Sequence, residues 1–112
     1  MKGPANMLNA EDDIRVNGLP IDYNTVPGSG VMMQAVIRYI EHGAPPGHFL
    51  TAVIQNNLFE AMRRADLENR ALLHAWCSWF YNKAPSMCYG SKDKMDMWME
   101  ARTVAYEARM EA

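Results

Sequence analysis

The chain lacks the features that would place it in a membrane, in an oxidising compartment or on a nucleic acid. No apolar run approaches the roughly 18 residues that a membrane-spanning helix needs, and the polar first segment, which contains Glu11, Asp12 and Asp13, holds no apolar signal-peptide core. Two cysteines do not make a disulfide framework. The net charge of −2 argues against binding to nucleic-acid backbone, which favours a basic face, but it leaves room for a small anion held by arginines. We therefore expect a cytoplasmic protein.

The sequence also lacks the residue spacings of a metal site or a catalytic centre. Its three histidines follow no ligand spacing, and Cys77 with Cys88 does not resemble a zinc site. A glycine-rich phosphate loop, a nucleophile elbow and an HExxH helix are all missing. We expect no metal, no cofactor and no enzymatic activity. Because Cys77 lies in an apolar helical stretch, it is expected to be a buried structural thiol.

The composition favours one globular helical domain. A chain of 112 residues suits a single core, and 49% of its residues are apolar. Proline and glycine punctuate residues 1–28, where residues 19–23 are expected to cross the domain as an ordered arm and residues 1–15 are either ordered or a mobile leader. Helical periodicity occupies residues 29–112. The sequence predicts an all-α, single-domain compact bundle of four or five helices with an irregular N-terminal arm.

Stop and capping residues predict where the first two helices lie. The first runs over residues 29–42, and Gly43 supplies a left-handed stop. The second occupies residues 46–65. It is either continuous or interrupted at Asn57, which forms a weak capping box with Glu60 three residues later.

The later helices are bounded by equally clear signals. Asp66 is the predicted N-cap of a third helix, which Pro85 stops. A loop follows as far as Gly90. Ser91 then caps a last helix over residues 92–109.

Two asparagines interrupt apolar helical stripes. Asn57 is spaced by four from Val53 and Ala61, and Asn69 shares a face with Trp76. Both side chains are therefore expected to point inward, where an amide must find a partner. Either they bond to each other, to a helix end or to a loop backbone, or they line a pocket and meet a ligand.

Three arginines surround Asp66 in the sequence, and they also have two interpretations. One is a solvated helix junction with ion pairs to neighbouring acids such as Glu60. The other is an anion clamp, because guanidinium groups suit phosphate or carboxylate. Together with one aromatic residue, these positions form the candidate ligand site: Asn57, Arg63, Arg64, Asp66, Asn69, Arg70 and Tyr81.

The last helix carries a seam of small residues. Trp98, Ala101, Ala105 and Ala108 follow spacings of three and four beside a stripe rich in methionine. Such a seam lets another helix approach closely, which indicates self-association into a homo-oligomer. The alternative is that these alanines are good helix formers on a solvated side.

Several short motifs occur in a fixed order from Tyr23 onward. As an ordered set they resemble a family of small proteins without an assigned activity that many tailed phages encode, over about three quarters of the chain. Family members are expected to have an acid at position 57 and tryptophan at position 89, where this chain has Asn57 and Tyr89. The resemblance implies a phage origin and a compact helical fold, but it does not supply an activity. For a phage protein, the cytoplasm expected above is that of the host. It rests on RYIEHG at residues 38–43, PGHFLTAV at 46–53, NNLFEA at 56–61, RAD at 64–66 with Asn69, YN at 81–82 with Pro85, and CYGS at 88–91 with Trp98.

Two kinds of binding function fit a small phage protein without catalytic motifs. The first is a homo-oligomer that sequesters a nucleotide-derived signal of bacterial immunity, with Tyr39, Tyr81 and Tyr89 available for a base. The second is an inhibitor that docks on a host or defence protein complex through a methionine-rich surface. The first needs its polar residues in a concave site, whereas the second needs an exposed apolar or acidic patch.

Overall fold

A computed structural model of the chain describes residues 14–111, so the first 13 residues of the predicted leader (residues 1–15) lie outside the described residues. The prediction of an all-α, single-domain bundle with an N-terminal arm is confirmed. The described elements are a two-stranded hairpin of β1 (Arg15–Val16) and β2 (Leu19–Pro20), followed by the helices α1 (Gly30–His42), α2 (His48–Ile54), α3 (Leu58–Arg64), α4 (Leu67–Ala71), α5 (Leu73–Lys83) and α6 (Lys92–Glu111).

Residues 14–111 contain six α-helices instead of four or five, because two predicted helices are divided. Asn56 adopts a left-handed conformation (φ 63°), and Asn57 then starts α3 as its N-cap. Asparagine tolerates this conformation better than most residues, so the interrupted form of the second helix is the correct alternative. A second break falls at Leu72, which ends α4 and begins α5 with little change in the hydrogen-bonding pattern, since the Trp76 N–H still donates to the Leu72 carbonyl.

Helix α1 begins and ends where its sequence predicts. Gly43 follows it with φ 76°, and its N–H donates to the Tyr39 carbonyl at 3.0 Å. Val36, Tyr39 and Ile40 form its buried face. The start of α6 also agrees with the sequence prediction, because the Ser91 hydroxyl accepts from the Lys94 N–H at 3.1 Å and caps this helix.

The core lies between α1, α2, α5 and the first half of α6, and aromatic rings fill its centre. Trp76 is wholly buried and contacts Phe49 and Phe80, with ring centroids 6.2 and 6.4 Å away. The buried hydrophobic residues are Val36, Tyr39, Ile40, Phe49, Leu50, Ala52, Ile54, Ala61, Ala65, Trp76, Trp79, Phe80, Ala84, Cys88 and Met95.

The N-terminal arm is ordered over its described residues and bonded to the helices. The Tyr23 hydroxyl donates to the Glu41 carboxylate at 2.7 Å, and the Trp79 indole donates to the Thr25 hydroxyl at 2.8 Å. The hairpin before it was not predicted. Its signal is Asn17-Gly18, a dipeptide suited to a two-residue turn with positive φ at both positions (54° and 81°).

Helix α6 packs only part of its length on the body. Its 20 residues span about 30 Å, and the described chain measures 48 × 24 × 21 Å. The Trp98 indole donates to the Ile40 carbonyl and the Arg102 guanidinium to the Glu41 carbonyl, each at 3.2 Å. Among residues 14–111, no helix combines the length and apolar character needed to cross a membrane.

Candidate ligand-binding site

Asn57 does not point inward. It is exposed and acts as the N-cap of α3, where its side-chain oxygen accepts from the Glu60 N–H at 3.3 Å. The inward prediction is wrong because it assumed one helix from Val53 to Ala61. Once the chain breaks at Asn56, a spacing of four residues no longer places side chains on one face.

Two of the predicted arginines are paired with one acid at the surface. Arg63 and Arg64 reach the Glu60 carboxylate at 2.7 and 3.0 Å. Hydrogen bonds from these guanidinium groups lower the pKa of Glu60 to about 2. Arg70 is also exposed, on α4. These contacts support the interpretation of a solvated helix junction over that of an anion clamp.

Asp66 and Asn69 stand at the start of α4, and both have internal partners. The Asp66 carboxylate accepts from the Asn69 N–H at 2.8 Å, as its predicted N-cap role requires. Asn69 is 6% exposed, and its side-chain oxygen accepts from the Trp76 indole at 3.0 Å. The inward prediction for Asn69 is confirmed, and its observed partner is a core indole.

We expect Asn69→Ala to lower the free energy of unfolding by about 1–3 kcal/mol, because the buried Trp76 N–H would lose its acceptor. Chemical denaturation measures the change. Asn57→Ala is the comparison, since it removes an exposed cap whose loss costs about 0.5–2 kcal/mol. In the double variant Asn69→Ala/Trp76→Phe, the cost assigned to the unpaired N–H should disappear; a double variant showing the full sum of the two single costs would contradict this role of the hydrogen bond.

A concave surface lies elsewhere, along α5. It is an open cleft of about 550 Å³, within the size range of small-molecule sites. We call it the tyrosine cleft, and it is lined by Val53, Asn56, His74, Cys77, Ser78, Phe80, Tyr81, Asn82, Tyr89 and Gly90. Tyr81 is the one predicted ligand residue that lines it; the other six lie outside.

The two tyrosines of this cleft differ in exposure and in contacts. Tyr81 is 76% exposed on α5. Tyr89 is half-buried, packs on Phe80 with ring centroids 6.1 Å apart, and donates from its hydroxyl to the Tyr81 carbonyl at 3.4 Å. Tyr39, the third tyrosine predicted to meet a base, cannot do so, because it is fully buried and its hydroxyl donates to the Cys88 carbonyl at 2.6 Å.

A second open cleft, of about 640 Å³, lies beside the first. The two share His74, Ser78 and Asn82, which are spaced by four and therefore form a ridge along one face of α5. We call the second one the lysine cleft, and it is lined by Thr25, Pro27, His74, Ala75, Ser78, Trp79, Asn82 and Lys83. The three ridge residues were absent from the predicted site, although their spacing of four is visible in the sequence.

Cys77 is exposed in the tyrosine cleft, so the prediction of a buried thiol is wrong. Trp76 and Trp79 lie on the buried face of α5. Cys77 follows Trp76 by one residue, which is about 100° around the helix, and its side chain therefore lies on the solvent side. Cys88 is the buried thiol instead, and burial raises its pKa to about 12. The chain therefore presents one accessible and one shielded cysteine.

The predicted seam on α6 is divided between two faces. Trp98 and Ala105 are half-buried, and Trp98 bonds to α1, whereas Ala101 and Ala108 are exposed. Two further exposed apolar residues, Met97 and Val104, share a face with these two alanines, and the four residues are spaced by four, three and four. We call this face the α6 seam, and it consists of Met97, Ala101, Val104 and Ala108.

A second exposed apolar surface lies on α3. Leu58, Phe59 and Met62 are all exposed, and Phe59 most of all at 86%. They belong to a helix of seven residues whose buried side is reduced to Ala61. We call these three residues the α3 face.

Comparisons with protein-family models, curated proteins and solved structures find no match to this chain. Within residues 14–111, no group of three or more histidine, cysteine or acidic side chains is arranged to hold a metal ion.

Proposed function

We propose that the chain is a phage-encoded, non-catalytic binding protein that sequesters a nucleotide-derived signal of bacterial immunity in the host cytoplasm, as a homo-oligomer. The observation that carries this proposal is the tyrosine cleft. It offers aromatic rings at Tyr81 and Tyr89 and side-chain amides at Asn56 and Asn82. Aromatic side chains that stack and amides that hydrogen-bond are what a purine or pyrimidine ring requires.

Two further features support binding in place of catalysis. Burial raises the pKa values of Cys88 and Tyr39, and both groups are shielded from solvent and serve the core. The polar ridge residue Asn82 is already oriented, since its amide donates to the Ser78 carbonyl and hydroxyl at 2.9 and 3.1 Å. Its side-chain oxygen remains able to accept from a ligand. A preorganised ridge of this kind lowers the entropic cost of binding.

Cys77 reports directly on occupancy of the tyrosine cleft. We expect iodoacetamide to modify one of the two thiols of the native wild-type chain, and cyclic dinucleotides or ADP-ribose-type nucleotides to protect it. Intact-mass spectrometry follows the reaction, and the shielded Cys88 is an internal control because its thiol becomes reactive only on unfolding.

Two variants separate the tyrosine cleft from the rest of the surface. Tyr81→Ala should abolish protection of Cys77, because it removes the exposed stacking ring. Phe59→Ala, which removes another exposed ring, from the α3 face, should leave protection of Cys77 unchanged. Equal protection in Tyr81→Ala and wild type would place the ligand elsewhere.

The homo-oligomer is proposed to form through the α6 seam. We expect Val104→Glu to lower the mass measured by light scattering without loss of helicity, because a carboxylate in an apolar helix interface is strongly unfavourable. Val31→Glu is the matched control, since Val31 is exposed at the start of α1 (75% against 59% for Val104) and lies outside the seam. A wild type that is monomeric at high concentration would refute self-association.

Docking on a host or defence protein is the second candidate, and the α3 face favours it. A contiguous apolar surface on a small domain is a common mark of a protein interface. If docking is the function, Phe59→Glu should abolish the ability of the protein to protect the phage from host immunity. The same substitution should not change nucleotide binding by the purified protein. If instead Tyr81→Ala alone abolishes protection, sequestration is the function.

A further inference from the structure

The lysine cleft continues the proposed site across α5. On a helix, Cys77 and Tyr81 lie to one side of the ridge formed by His74, Ser78 and Asn82, and Lys83 lies to the other. From His74 to Asn82 the ridge rises by about 12 Å along the helix. The two clefts are therefore adjoining halves of one surface, and a ligand seated in one half reaches the other by crossing a polar ridge.

The charge of this surface differs from that of the whole chain. The chain has 13 acidic and 11 basic residues, yet no aspartate or glutamate lines either cleft. Lys83, whose side chain ends in an ammonium group, lines the second cleft, and His74 lines both. An anion that enters the lysine cleft meets a cation without a competing carboxylate in the lining.

Lys83 is the group on which an anion there must depend. It lies in the last turn of α5, where the free carbonyl ends of the helix repel negative charge. Apart from the ridge residues, the other polar side chain that lines the lysine cleft is Thr25. It is engaged, because its hydroxyl donates to the Asp22 carbonyl at 2.6 Å and accepts from the Trp79 indole. Without the lysine, the local field would disfavour an anion.

We infer that the lysine cleft binds the anionic group, a phosphate or diphosphate, of the same ligand whose planar ring occupies the tyrosine cleft. This inference rests on the proposed function for the ring site and adds the position and the partner of the charge. Asn82, at the crest of the ridge, faces both halves and can accept from the sugar hydroxyls between them.

Titration calorimetry with cyclic di-AMP and ADP-ribose as probes tests the inference on the full chain. Lys83→Gln should weaken binding about tenfold or more, which is the usual effect of losing a charged hydrogen bond. Lys83→Arg should retain most of the affinity, and the dependence of binding on salt should be shallower in Lys83→Gln than in wild type. Lys92→Gln is the control, because it removes another exposed lysine, on α6, which pairs with Asp96.

The outcomes distinguish failure of the anion position from failure of the proposed function. If Lys83→Gln binds like wild type while Tyr81→Ala loses binding, the anion position is overturned and the proposed function stands. If Lys83→Gln and Lys92→Gln weaken binding equally, the effect is that of net charge and the inference is again overturned. If the wild type binds neither probe, the proposed function fails and the inference with it.

Discussion

Replacing Trp76 with alanine should lower the free energy of unfolding by about 3–5 kcal/mol, the range for large aromatic side chains in a core. Trp76 is completely buried, its ring contacts Phe49 and Phe80, and its indole N–H donates to Asn69. The substitution therefore empties the centre of the core and also leaves a buried amide oxygen without its donor. Thermal denaturation should show a midpoint lower by several degrees for each kcal/mol, since about 4–8 °C per kcal/mol is expected for a small domain.

Tyr81→Ala is the comparison for this prediction, because it removes a large aromatic side chain from the same helix at an exposed position. Its effect on stability should stay within about 0.5 kcal/mol. An unchanged melting temperature for Trp76→Ala would mean that the buried face of α5 has been assigned to the wrong side of the helix.

Gly43→Ala should be almost as damaging, for a reason of geometry. Gly43 has φ 76°, a conformation that costs other residues about 1–2 kcal/mol. A Cβ atom there would also lie 2.5 Å from the Met99 carbonyl oxygen and 2.9 Å from the Thr103 hydroxyl oxygen. Because backbone cannot move as easily as a side chain, α6 would have to shift away from α1, and overpacking of this kind adds about 1–3 kcal/mol.

Gly30→Ala provides the control for Gly43→Ala. A Cβ atom at Gly30 meets nothing within 4 Å, and this residue is the first of α1. The substitution should be neutral or stabilising by up to about 1 kcal/mol, because alanine loses less backbone entropy in a helix. Chemical denaturation of both variants decides the matter; similar effects of the two substitutions would contradict the close approach of α6 to Gly43.

The helical architecture could be predicted because its boundaries depend on local chemistry. Gly43 can end a helix in the left-handed conformation, and Asp66 and Ser91 cap helices through their own side chains. These signals act within four residues and need no knowledge of the tertiary fold. The buried stripes of α1 and α5 follow from the same local periodicity.

The predictions of side-chain direction failed where the backbone conformation of one residue changed the orientation of the helix that follows it. The left-handed Asn56 rotates α3 relative to α2, and this turned Asn57 from a predicted core residue into an exposed cap. The error at Cys77 has a related cause. An apolar stretch indicates that a helix is partly buried, but it does not indicate which of its residues face the solvent.

The candidate site was harder to predict than the fold. Polar residues on apolar stripes were informative, but what they indicated was structural bonding, as with Asn69 and Trp76. The clefts on α5 depend on the arm and on the loop at Tyr89 packing beside that helix, which are long-range contacts. Of the seven candidate ligand residues only Tyr81 lines a cleft, and Tyr89, which the sequence offered for a base, lines the same one. The ridge of His74, Ser78 and Asn82 could have been found from its spacing of four.

Native mass spectrometry of the full chain, purified from cells that produce the immune signal, tests the central claim most directly. We predict assemblies at multiples of the 12.7 kDa chain mass that carry a bound nucleotide, identified after release by its fragment masses. Tyr81→Ala should form the same assemblies without the bound nucleotide. A wild-type chain recovered from those cells as a bare 12.7 kDa monomer, indistinguishable from Tyr81→Ala, would contradict the claim.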